Sequence, residues 1–166
     1  MPARDVILYP DHRLKTACAE VESLGDALRV LEDLRATMDA GPPRTVGIAA
    51  PQIGEMVRVV LVDTSRNPKH PPAHGLMALI NPRIAHSEGV QTMREGCLSI
   101  PEFTANITRA QKIVVEALDP SGKPLTIESE GFEAVVLQHE IDHLDGVLFL
   151  DRVTNLKQDL FRRKGA

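Results

Sequence analysis

The chain has 166 residues, a length typical of one domain with a sizeable core, so we predict a single domain over residues 1–166. Hydrophobic residues make up 43% of the chain and charged residues 25%, as in most proteins that fold in water. The 19 basic and 23 acidic residues give a net charge of −4, which argues against a nucleic-acid binder, sequence-specific or general.

The sequence also predicts a cytoplasmic protein that does not enter a membrane. Its apolar runs are interrupted by charge and too short to span a bilayer. Residues 1–15 lack the apolar core of a secretory signal. The two cysteines, Cys18 and Cys97, argue against a disulfide scaffold and fit a reducing compartment.

The first predicted element is an amphipathic helix over residues 24–38. Leucines recur there at helical spacing, and Gly41 followed by two prolines ends the pattern. The segment 67–75, with three prolines and two histidines, is predicted to be an exposed connection. Residues 57–63 are rich in valine and predict a strand, and further strands are predicted at 76–84, 112–118 and 124–129, with a turn signal at 119–122 between the last two.

Two more helices are predicted near the end of the chain. Residues 132–144 are apolar on most sides, so this helix should be buried. Residues 152–164 should form a final helix with a basic end, which suits the helix dipole. Because strands and helices do not alternate as βαβ units, we predict an α+β fold in which antiparallel sheets pack around the buried helix.

The buried helix carries His139-Glu140-Ile141-Asp142-His143. Two histidines four residues apart lie on one helix face and can bind the same divalent metal, while the glutamate between them activates water. The alternative is that hydrogen bonds to Asp142 or Gln138 satisfy the two imidazoles.

A metal site here needs a third ligand from upstream. Beyond His143 the chain has neither histidine nor glutamate, and Phe149 stands where a longer metalloprotease pattern has its third histidine. Cys97, in the segment Glu95–Ser99, is the best candidate, because one thiolate and two imidazoles leave a tetrahedral position for water. The alternative for Cys97 is a small buried hydrophobe, the role we assign to Cys18. The aspartates beyond His143 are possible but short ligands: Asp145, Asp151 and Asp159.

A third segment, 47–54, contains small residues and two glycines, which let another chain lie close to its backbone. Gln52 supplies an amide that can donate to a developing oxyanion. Alone, the segment could equally be an ordinary turn.

Together these segments resemble the peptide deformylase family, whose motifs GxxAAPQxG, EGCLS and QHExDHLxG match 47–54, 95–99 and 138–146. The resemblance extends from about residue 7 to 150. It implies a cytoplasmic metallohydrolase that removes the formyl group from formyl-Met N-termini of nascent polypeptides and releases formate. It also allows transient contact with the ribosome, for which the basic residues near 162–164 offer one surface and a solvated helix end the alternative.

The resemblance further implies roles for individual residues. Glu140 would be the general base and then the acid, and Gln52 and the backbone N–H of Leu98 would form the oxyanion hole. Gly47 would offer its backbone to the substrate, and Val136 would help line a pocket for the methionine side chain. The metal, with water as its fourth ligand, would be Fe²⁺, with Zn²⁺, Ni²⁺ or Co²⁺ as other occupants. The three protein ligands would be Cys97, His139 and His143.

Two positions depart from the family pattern. Thr45 replaces a glycine found in many bacterial members, and Thr104 stands where many have an arginine that helps bind peptide. These departures permit a specialised paralogue. The alternatives to a deformylase are a metallopeptidase or amidase of other specificity, and a non-catalytic module that binds formylated peptides.

Overall fold

The computed structural model describes residues 3–71 and 73–163, and within them the chain has eight strands and three α-helices. The helices are α1 (Leu24–Ala40), α2 (Gly131–Leu144) and the one-turn α3 (Leu156–Asp159). Short 3₁₀ turns cover His12–Lys15, Ala50–Ile53, Thr64–Arg66 and Phe149–Arg152. The strands are β1 (Gly47–Ala49), β2 (Val59–Asp63), β3 (Leu76–Glu88), β4 (Gln91–Cys97), β5 (Ile100–Arg109), β6 (Lys112–Leu118), β7 (Pro124–Glu130) and β8 (Leu160–Arg162).

The strands form two sheets. The larger has the order β1-β2-β3-β6-β7 and the smaller the order β4-β5-β8. Every pairing between neighbouring strands in these sheets is antiparallel. The predicted α+β class with antiparallel sheets around a buried helix is therefore confirmed.

The larger sheet is covered by a helix on each face. Val60 and Val62 of β2 pack in one cluster with α2, whereas Val59 and Leu61 pack in another with α1. Successive side chains of a strand point to opposite faces, so a strand between two helices needs a continuous apolar run. This explains the Val-rich sequence of β2.

The smaller sheet closes over one end of α2. A third cluster joins Ile107 of β5 to Leu14 near the N-terminus and to Phe149 just beyond α2, and all three are buried. The C-terminal end of β4 thus lies beside the histidines of α2. Among the described residues, no helix is long and apolar enough to cross a membrane.

Most predicted elements are confirmed. Helices lie at 24–38 and 132–144 as expected, and the strand predicted at 76–84 continues to Glu88. The segment 67–75 has no helix or strand in its described residues. The long β4–β5 hairpin was not predicted, because its polar residues alternate with few large apolar ones.

The final helix predicted over 152–164 is wrong in extent. Only α3 is α-helical, with its N-terminus capped by the Asn155 side chain, and β8 follows at once. Pairing of β8 with β5 partly buries Leu160 and Phe161, and this tertiary contact outweighs helix propensity. Lys164 lies outside the described residues.

Candidate metal centre and active site

The structure brings the three predicted ligands together. On α2, His139 and His143 lie one turn apart, with ring centroids separated by 5.1 Å. Cys97, at the end of β4, places its Sγ 3.4 Å from His143 Nε2. The three ligand atoms lie within 4.8 Å of one another, a spacing that one metal ion can bridge.

The chemistry of these side chains fits a divalent transition metal. His143 is buried, and its Nδ1 has no hydrogen-bond partner among the described residues. Burial, together with the positive charges of His139 and Arg109, holds the pKa of His143 well below its usual value. The ring is therefore neutral and can offer a nitrogen lone pair to a metal. A thiolate and two imidazoles suit Fe²⁺, Zn²⁺, Ni²⁺ or Co²⁺.

His139 is oriented by Glu95. Its Nδ1 donates to Glu95 Oε1 at 2.8 Å, which leaves Nε2 for the ligand cluster. Burial lowers the pKa of His139, but hydrogen bonds to Cys97 and Glu95 outweigh it, and the net pKa is raised well above its usual value. A carboxylate on the far nitrogen of a histidine ligand fixes the ring and increases its basicity toward a metal.

Glu95 belongs to a buried ionic network that sequence reasoning missed. Arg109 Nε and Nη2 donate to its two carboxylate oxygens at 2.6 and 3.0 Å. Arg109 Nη1 also donates to Asp142, which receives two further hydrogen bonds from Arg152. Burial raises the pKa of Glu95, but the hydrogen bonds from His139 and Arg109 outweigh it and lower the pKa overall.

This network excludes the alternative partners for the histidines. Asp142 is buried against two arginines, so it is neither a solvated residue nor an acceptor for the imidazoles. Gln138 exchanges hydrogen bonds with the Ala110 backbone and does not contact the ligand histidines. Glu95 is therefore the carboxylate that accepts a hydrogen bond from the ligand histidine His139.

Glu140 is buried, and its Oε1 has no hydrogen-bond partner among the described residues. Burial raises the pKa of this carboxyl to about 7. Gly47 lies directly against it, because a Cβ at Gly47 would stand 2.7 Å from Glu140 Oε2. A side chain at position 47 would therefore displace the carboxylate.

Gln52 points its amide nitrogen toward the ligands. The segment 47–54 folds as β1 and a 3₁₀ turn, and there Gln52 Oε1 accepts a hydrogen bond from the Ala49 backbone N–H at 3.0 Å. That bond fixes the amide orientation, so Nε2 lies 3.1 Å from Ser99 Oγ and 3.6 Å from Cys97 Sγ. The Gln52 amide and the Cys97 sulfur therefore lie close together.

A cavity of about 430 Å³ lies beside the donor set, and Cys97 and His139 line it, whereas His143 does not. Gly47, Gln52 and Leu98 line it together with Cys97 and Glu140. The apolar part of the wall comes from Phe132, Val135 and Val136. Thr45 also borders the cavity, as do the arginines Arg44, Arg94 and Arg163, which sequence analysis did not propose for the site.

A family model described as polypeptide deformylase matches residues 3–159 of this chain. The chain belongs to the peptide deformylase family. Members remove the N-formyl group from nascent peptides and depend on a metal, so the predicted reaction class and the resemblance noted in the sequence are confirmed.

Individual deformylases match over nearly the whole chain. A peptide deformylase from Thermodesulfovibrio yellowstonii is 40% identical over 165 residues, which cover 99% of this chain and 97% of that protein. One from Alkalilimnicola ehrlichii is 43% identical over 166 residues, with 99% and 89% covered. The crystal structure of a peptide deformylase from Legionella pneumophila superposes with a TM-score of 0.82 at 39% identity, covering 94% of this chain and 89% of that one.

Proposed function

We propose that this chain hydrolyses the N-formyl group of N-formylmethionyl nascent polypeptides, as a single catalytic domain over residues 1–166. The observation that carries the proposal is the buried carboxylate of Glu140 in the same cavity as Cys97 and His139, which belong to a Cys-His-His donor set. Its thiolate ligand fits the reducing cytoplasm. Because nascent chains emerge there from ribosomes, transient contact with the ribosome belongs to the same proposal.

Cys97, His139 and His143 would hold the metal, for which family resemblance favours Fe²⁺ over Zn²⁺, Ni²⁺ or Co²⁺. A divalent metal at this site supplies Lewis-acid polarisation of the formyl group and lowers the pKa of water. Glu95 keeps the His139 ring in the orientation that ligation requires.

Glu140 acts as general base and then as general acid. Its carboxylate removes a proton from water as the water oxygen attacks the formyl carbon, and returns that proton to the departing amine. A pKa near 7 suits both steps, because the group can accept and release a proton close to neutral pH. The products are formate and a free N-terminus.

The negative charge that develops on the formyl oxygen is stabilised by Gln52 Nε2 and the backbone N–H of Leu98. The support is the fixed amide of Gln52, since a preorganised donor needs no reorientation during the reaction. Gly47 presents its backbone to the substrate and leaves room for Glu140. Phe132 and Val136 help form the apolar wall for the methionine side chain.

Formate release from formyl-Met-Ala-Ser tests this proposal, with the protein reconstituted anaerobically with Fe²⁺ and its metal content measured on the same sample. We expect formate release with Fe²⁺ and none from chelated protein. Cleavage of internal peptide bonds without formate release would favour the metallopeptidase or amidase alternative. Peptide binding without any hydrolysis would favour the non-catalytic alternative.

A further inference from the structure

Arg163, the residue that follows strand β8, lies at the mouth of the cavity. Phe161 of β8 pairs with Thr104 of β5, and the backbone N–H of Arg163 continues the pairing by donating to Glu102 O at 2.7 Å. This places the Arg163 side chain in the cavity that also contains Cys97. The end of the described chain is thus part of the rim of the active site.

Arg163 lies against the backbone next to a metal ligand. A Cβ at Gly96 would stand 2.5 Å from Arg163 Nη2, so only glycine at position 96 leaves space for the guanidinium in this position. The methyl group of Thr104 is also near, 3.5 Å from the same Cβ position. The guanidinium therefore lies at the rim of the cavity, beside Gly96 of β4 and Thr104 of β5.

The Arg163 guanidinium has neither an ion pair nor a side-chain hydrogen bond to any described residue. Its neighbour Arg94 is held differently: Arg94 Nε donates to Asn106 at 3.0 Å, and its guanidinium lies 3.6 Å from the ring centre of Phe161. Within residues 3–71 and 73–163, no group therefore occupies the donors of the Arg163 guanidinium.

The mouth of the cavity is positive although the whole chain carries a net charge of −4. Arg44, Arg94 and Arg163 line it. Of the carboxylates in its lining, Glu95 is neutralised by Arg109 and Glu140 is buried at the reaction centre. A rim with free guanidinium donors suits an oxygen-rich acceptor such as a peptide carbonyl or carboxylate.

We infer that Arg163 binds the substrate segment that follows formyl-Met, by donating a hydrogen bond to an acceptor oxygen of that segment. This inference rests on the proposed function and names a determinant of peptide affinity. The acceptor is a main-chain carbonyl or a terminal or side-chain carboxylate. Arg163 touches only this remote segment, so it contributes to binding and leaves the chemical step unchanged.

The test compares Arg163→Ala and Arg163→Lys with the matched control Arg162→Ala. Arg162 is the adjacent exposed arginine of β8, and successive strand residues point to opposite faces, so the control makes the same charge change away from the rim. KM and kcat are measured on formyl-Met-Ala-Ser, on its C-terminal amide and on formylmethioninamide, which lacks the following residues. The affinity of each variant for the product Met-Ala-Ser is measured separately.

For Arg163→Ala we expect KM on formyl-Met-Ala-Ser to rise about tenfold, the effect of losing one charged hydrogen bond at an exposed site. The kcat should not change, Arg163→Lys should recover part of the loss, and Arg162→Ala should resemble the parent chain. Formylmethioninamide should not distinguish the variants. Loss of the Arg163 effect with the tripeptide amide identifies the terminal carboxylate as acceptor, and its persistence identifies a carbonyl.

Equal KM values for Arg163→Ala and Arg162→Ala on formyl-Met-Ala-Ser would overturn the inference, as would a fall in kcat with KM unchanged. Absence of formate release by the parent chain would count against the proposed function alone. In that case the affinity for Met-Ala-Ser decides: weaker binding only in the Arg163 variants supports the inference, and unchanged binding contradicts it.

Discussion

Replacing Arg109 by methionine should destabilise the protein strongly, because this guanidinium links two buried carboxylates. Its side chain is only 2% exposed and that of Glu95 only 5%. Arg109 donates two hydrogen bonds to Glu95 and one to Asp142. Asp142 keeps its bonds from Arg152, whereas Glu95 keeps only His139.

The size of the effect follows from the charge left unpaired. Removing one partner of a buried ion pair costs about 3–5 kcal/mol, most of it from the uncompensated charge on Glu95. The same change should weaken metal binding about 10–100-fold, because Glu95 orients the His139 ring.

Urea unfolding of the metal-free protein measures the first effect, and competition with a chelator measures the second. Arg83→Met is the matched control, because Arg83 pairs with Glu116 at the surface, where an ion pair contributes about 0–1 kcal/mol. The double variant Arg109→Met/Glu95→Gln should recover part of the stability, because it removes the unpaired charge on Glu95. A loss below about 1 kcal/mol for Arg109→Met, equal to the control, would refute the reasoning.

Three further predictions concern the cavity. Gly47→Ala should lower kcat at least about tenfold in formate-release assays, because its methyl group would displace the Glu140 carboxylate; unchanged kcat would show that the contact is irrelevant. Gln52→Leu should lower kcat about 10²–10³-fold, and a change confined to KM would contradict an oxyanion role. After metal removal, iodoacetamide should modify Cys97 and spare Cys18, whose pKa burial raises to about 11; peptide mapping that finds Cys18 alkylated first would contradict this.

The parts of the site that were predictable lie close together in sequence or follow from ligand chemistry. The spacing of His139 and His143 places both on one helix face, and the lack of a downstream histidine or glutamate directs attention to Cys97. Both inferences use only helix geometry and the coordination needs of a metal.

The parts that were missed depend on tertiary contacts. Arg109 and Arg152 meet Asp142 from different elements, and no spacing in the sequence indicates that they share a carboxylate. The β8 strand forms because the edge of β5 offers hydrogen-bonding partners, so Arg163 reaches the cavity through a pairing that local propensity does not indicate.

The role of Glu140 is the central claim, and comparing formate release by the parent chain and Glu140→Gln tests it most directly. Both proteins should be loaded with the same metal and assayed on formyl-Met-Ala-Ser, with metal content measured on each sample. We predict equal metal content and a loss of kcat of at least about 10³-fold, because the amide cannot carry a proton from water to the amine. Turnover by the variant at the rate of the parent chain would contradict the account.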